Sequence, residues 1–127
     1  MSTYLVDTTV LIDVQRHRLE AAQFLKDNDV VVSYVTSLEM LVGVKNKEDM
    51  SKTNKLLNGL VMHGGNTKIS EKAVEFMRSY RLIMGIGIYD AILAATAIEL
   101  KMILVTDNVK HFRGIGGLVV KKLAEVI

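Results

Sequence analysis

Along the chain, short runs of consecutive apolar residues alternate with longer stretches in which apolar positions recur every three or four residues. "YLV" (4–6), "VVVSYV" (30–35), "VM" (61–62) and "MILVT" (102–106) read as strands, and Val119 and Val120 mark a last one. The intervening segments, near 8–16, 19–27, 36–46, 49–59, 70–84 and 89–101, carry the helical period. Unbroken apolar strands separated by helices imply a sheet buried on both faces by helices. The fold class expected is therefore α/β, a three-layer α/β/α sandwich around a mainly parallel sheet.

Local signals bear on the helix boundaries. "TSLE" (36–39) fits a capping box with Thr36 as N-cap and Glu39 reaching back. "SEKAVEFM" offers Ser70 as the N-cap of the next helix, with Glu71 at its positive end. Phe76, Met77, Tyr80 and Met84 recur at core spacing along that helix, and "AILAATA" (91–97) predicts close helix packing. The glycine groups "HGGN" (63–66), "MGIGIYD" (84–90) and "RGIGGL" (113–118) read as loops. None has the spacing of a phosphate-binding loop.

Composition narrows the field. A chain of 127 residues, half of them hydrophobic, suits one domain with one core, so residues 1–127 are expected to form a single unit. The absence of cysteine removes disulfides, zinc–thiolate sites and thiol nucleophiles. No apolar run approaches a membrane span, and "MSTYLVDTTV" lacks a basic start followed by a signal-type stretch, so a soluble cytoplasmic protein is expected. The net charge of +2 says little, but Lys and Arg gather at 15–18, 44–55 and 109–114, as a solvated face or as contacts for a polyanion.

The acids at strand ends carry the candidate chemistry. Asp7 ends the first strand, Glu39 lies in the helix after the second, Asp90 opens the helix after a glycine-rich loop, and Asp107 follows "MILVT". Ligands of open parallel sheets bind at the carboxyl ends of the strands, so these four acids can converge on one cleft. Each also serves as a helix cap or turn residue, but capping does not require an acid four times over. Two like charges ~4 Å apart repel by about 4 kcal/mol at an effective dielectric near 20, so such a cluster calls for a cation or protons. Oxygen donors without Cys or paired His suit Mg²⁺ or Mn²⁺ rather than zinc, and a hard cation of this kind serves phosphodiester chemistry.

"YLVDTTVLID", "SYVTSLEMLVGV" and "IYDAILAATAIELKMILVTDNVKHF" together resemble the successive signature segments of PIN-domain ribonucleases, most closely the VapC-type toxins of toxin–antitoxin pairs. The resemblance runs over almost the whole chain. It implies a PIN-like fold, a Mg²⁺-dependent endoribonuclease with Mn²⁺ as substitute, and RNA as substrate. It also implies a homodimer and a cognate antitoxin that blocks the active-site groove, with residues 36–60 as the expected docking segment. Asp7, Glu39 and Asp90 are then the core metal-binding and catalytic acids. Asp107 is the fourth, although in "TDNVKHF" the family's customary position aligns with Asn108, which is expected to hydrogen-bond beside it. Thr8 matches a hydroxyl beside the first aspartate, and Thr106 is expected to support the site in the same way.

Other residues fit less well. Asp13 is expected on a solvated face, and His17, His63 and His111 are isolated, with only His111 near the acids. Arg78 and Arg81 are expected at the surface. A phosphatase of the haloacid-dehalogenase type needs a second Asp two positions after the first, where Thr9 stands. A non-catalytic PIN-like binding module, its acids acting only as caps, is the alternative function.

Overall fold

The computed structural model describes residues 3–127. Five strands, β1 (Tyr4–Val6), β2 (Val30–Ser33), β3 (Val61–His63), β4 (Ile103–Val105) and β5 (Val120–Lys121), form one parallel sheet in the order β3-β2-β1-β4-β5. Six helices connect them: α1 (Thr8–Gln15), α2 (Leu19–Asp27), α3 (Tyr34–Val42), α4 (Lys47–Asn58), α5 (Thr67–Met84) and α6 (Ile88–Glu99). The expected α/β/α sandwich with a parallel sheet is what forms. Among the described residues no helix is long and apolar enough to cross a membrane.

The sheet register separates two cores. Leu5 pairs with Val31 and Leu104, and all three face α5 and α6, packing with Ile69, Phe76, Leu93 and Phe112. One residue on, Val6 and Val105 point the other way, toward Val10, Leu11, Phe24 and Val32. The period of two in β-structure assigns alternate residues to opposite layers. The alanines of α6 are almost all buried, which brings that helix close to the sheet, and Met77, Tyr80 and Met84 pack around Phe76 as their spacing predicts.

Starting from β1, the chain winds outward through β2 to β3, then returns to place β4 on β1's other side. The reversal lies between β1 and β4. It opens a crevice at their carboxyl ends, where Asp7 and Thr106 follow the last strand residues.

Two helix starts differ from expectation. The N-cap of α3 is Ser33, whose hydroxyl accepts from the Val35 N–H at 3.2 Å, so Tyr34 and Val35 leave the strand and no Thr36–Glu39 capping box forms. Thr36, fully buried inside the helix, turns its hydroxyl to Tyr89 instead. The N-cap of α5 is Asn66, accepting from the Ile69 N–H at 2.9 Å, and Ser70 donates to the Asn66 carbonyl from within the helix. In both cases a polar residue earlier in the chain reaches the free N–H groups first. At the other end of α5, Gly85 takes the left-handed conformation (φ 69°) that closes the helix, and Arg81 donates to the Gly85 and Ile86 carbonyls.

The central strand is the mechanical middle of the molecule. Leu5→Ala should lower unfolding free energy by about 2–5 kcal/mol, whereas Leu82→Ala, at a side chain 97% exposed, should change it by less than about 0.5 kcal/mol. Urea denaturation of both variants tests the contrast.

Candidate metal and catalytic site

Asp7 is both a cap and a site residue. Its backbone is extended (φ −86°, ψ 167°) at the N-cap of α1, and the carboxylate is only 3% exposed. Oδ1 accepts from the Thr8 N–H at 2.6 Å and the Thr8 hydroxyl at 3.2 Å, and the Tyr89 hydroxyl also donates to it. Oδ2 accepts from the Thr106 hydroxyl at 2.7 Å. Capping alone would use one oxygen and the first turn of α1. Here the carboxylate also binds β4 and α6, and this satisfaction is what lets a buried charge persist.

Asp90 is the third residue of α6 rather than its cap. That position falls to Gly87, which has no side chain to offer, so Asp90 caps nothing and sits half-buried in the first turn. Burial raises its proton affinity above that of an ordinary aspartate, and the charges of Asp7 and Glu39 raise it further. His111 opposes them, its Nδ1 lying 3.7 Å from Asp90 Oδ2. Three carboxylates from the end of β1, from α3 and from α6 therefore share one electrostatic field. Glu39 is the exposed member. Among the described residues, no three acidic or imidazole groups come close enough to grip one ion together. The donor set nonetheless fits a hard divalent cation in kind: oxygen donors, negative charge in excess, and an aspartate made more basic chiefly by burial.

Thr8 and Thr106 each donate a hydroxyl to Asp7. Asn108 lends its backbone N–H to Thr106 Oγ1 at 3.0 Å, steadying the hydroxyl that serves Asp7. Asp107 is exposed on the turn, its N–H donating to Thr9 Oγ1 at 3.1 Å, and it is not among the charges that act on Asp90. Asp13 is not on a solvated face: it is 8% exposed and pairs with Arg18 at 3.5 Å, because the turn after α1 folds Arg18 back over it. His17 and His63 lie outside the cluster, and Arg78 and Arg81 are at the surface.

Tyr89 joins these residues although no motif in the sequence marks it. Its hydroxyl meets Asp7, Thr36 and the Thr8 N–H, and burial together with the Asp7 charge raises its proton affinity strongly, so it remains a phenol. The available signal was an amphipathic aromatic directly before the acid of α6, a residue type that seeks a partner for its hydroxyl when buried.

The chain is similar to proteins already known. The PIN domain family model matches residues 4–118. Ribonuclease VapC10 of Mycobacterium tuberculosis is 33% identical over 113 residues, covering 85% of this chain and 84% of the relative. A toxin–antitoxin complex from Klebsiella pneumoniae contains a chain that superposes with a TM-score of 0.73 at 32% identity, covering 91% of this chain and 95% of that one. VapBC2 from Rickettsia felis, bound to a DNA fragment from their promoter, gives 0.80 at 25% identity, covering 94% and 98%.

The field at Asp90 predicts a pH-dependent stability. A folded-state pKa above the unfolded value, near 4 for aspartate, means that folding takes up protons, so wild-type stability falls as pH rises from about 4 through the raised folded value. Asp90→Asn removes this liability. Without added metal, its melting temperature should exceed that of wild type at neutral pH. The gap should shrink below about pH 4 and level off once Asp90 is ionised in the folded protein, as calorimetric scans across pH would record.

Proposed function

Since the chain belongs to the PIN-domain family, we propose that it is a Mg²⁺-dependent endoribonuclease and the toxin of a VapBC-type toxin–antitoxin pair, folded as one domain over residues 1–127. The observation that carries this reading is that Asp90, half-buried at the sheet's switch point, feels the charges of both Asp7 and Glu39 on top of its own burial. Three acids held in one field at the carboxyl edge fit a cation site better than three independent caps.

In this reading Asp7, Glu39 and Asp90 would hold the cation between them, in part through waters it keeps, since the three do not close on one ion directly, and Asp107 adds negative charge from the rim. When bound there, Mg²⁺, or Mn²⁺ in its place, neutralises charge at the scissile phosphate and makes water a better nucleophile. Asp7, immobilised by Thr8, Thr106 and Tyr89, is the fixed point of the set. Glu39, the exposed acid, takes the proton of the attacking water as its oxygen bonds to phosphorus; the P–O bond to the leaving strand breaks and the departing oxygen takes a proton from solvent water. The Lys and Arg clusters at 15–18, 44–55 and 109–114 draw the RNA backbone toward the crevice.

The relatives in solved complexes stand beside antitoxins, and this chain offers a place for one. A groove of about 790 Å³ runs from Thr8 and Glu39 across Ile12, Met40 and Val44 to Lys52 and Leu56 on α4. It begins at an acid of the proposed site and continues over an apolar floor. A segment of the cognate antitoxin seated there would cover Glu39 and close the crevice to RNA, with the toxin itself acting as a homodimer.

The purified chain should cleave RNA with Mg²⁺ or Mn²⁺ and stop in EDTA. Asp7→Asn and Asp90→Asn should each slow cleavage by at least roughly 100-fold, equivalent to about 2.7 kcal/mol of barrier. Gel assays on structured RNAs decide it: cleavage that persists in EDTA, or in both variants, would sink the reading.

A further inference from the structure

Tyr89 has no part in the acid set above, yet its hydroxyl joins the three segments that carry the acids. It projects from α6 one residue before Asp90, donates to Asp7 at the end of β1, and lies 3.3 Å from Thr36 Oγ1, three residues before Glu39 on α3. A phenol has a single proton to give. Because Asp7, a carboxylate, can only accept, that proton goes to Asp7, and Thr36 must donate to the phenol oxygen. The direction of the chain is thereby fixed as Thr36 to Tyr89 to Asp7.

The two oxygens of Asp7 are unequally used. Oδ1 takes three donors: the Thr8 N–H at 2.6 Å, the Thr8 hydroxyl at 3.2 Å and Tyr89. Oδ2 takes one, the Thr106 hydroxyl at 2.7 Å. A carboxylate has about four acceptor sites, two on each oxygen, so Oδ1 is saturated and Oδ2 keeps a lone pair. Resting on the metal-dependent reading above, we propose that Tyr89 is a positioning residue for cation binding: it fills Asp7 Oδ1 and reserves Oδ2 as the ligand oxygen. Its bond to Asp7 persists when the cation is held, because the two act on different oxygens. Hydrogen bonds that orient a ligating carboxylate in this way contribute strongly to metal affinity.

Tyr89→Phe removes the hydroxyl and keeps the ring, so its packing against the core is retained. Titration calorimetry of the full chain with MnCl₂ and MgCl₂ should show dissociation constants raised by about 10- to 100-fold. Thr36→Val, which removes only the donor behind the phenol, should weaken binding in the same direction by less. Melting in EDTA separates the proposal from a purely structural role: a mere strut would lower that melting temperature and leave the affinity of the folded variant, and the rise on adding Mn²⁺, as in wild type. Affinity in Tyr89→Phe that is unchanged or tighter overturns the proposal while leaving the metal-dependent reading intact. Wild-type protein that binds neither ion at millimolar concentration removes both. If Tyr89→Phe fails to fold, unchanged affinity in Thr36→Val overturns the proposal alone.

Discussion

The carboxylate of Asp7 is a charge sunk almost completely into the protein at the point where the sheet reverses direction. Such a group is tolerated only if its oxygens are satisfied, and here the partners come from α1, β4 and α6. Each partner is held in turn by something else: Thr106 accepts from the Asn108 N–H, and Tyr89 meets Thr36. The requirement to solvate one buried charge thus ties the end of the central strand to its neighbour and to helices on the sheet's flanks. The crevice owes its shape to that requirement as much as to the apolar layers beneath it.

Beside this satisfied acid stands an unsatisfied one. Asp90 is half-buried, close to two other negative charges and answered only by His111. Its position costs stability in the absence of a cation, and nothing about the packing of α6 demands it: the buried face of that helix is made of small apolar residues. The first turn of α6 favours an acid through the helix dipole, but that gain does not require one this buried and this near two other carboxylates. Such places are where function is expected to reside. The contrast between the two aspartates, one anchored and one strained, is what supports the proposed cation site.

The order of strands and helices was legible because each segment's apolar period matches its final environment. β1, β2 and β4 are unbroken apolar runs and are buried on both faces, and α2 occupies the 19–27 span its period marks. Helix starts were less legible. Ser33 and Asn66 each captured free N–H groups ahead of Thr36 and Ser70, and every one of these residues is a credible cap when only its immediate neighbours are known. Asp13 and Arg18 lie five residues apart, and only the turn after α1 brings them together.

The sequence by itself determined the alternation of elements, the acidic residues at strand ends and the oxygen-only character of the site, since these follow from residue type and local spacing. Tertiary structure alone decided which acids share a field. Asp7 and Glu39 act on Asp90, whereas Asp107 stays at the exposed rim. It also brought Tyr89 onto a carboxylate 82 positions away in the chain. Periodicity specifies which face of an element is buried, but not the angle at which a side chain near its end meets another element. That angle is set by how β1, α3 and α6 pack around a common core, and there the hydroxyl of Tyr89 finds Asp7.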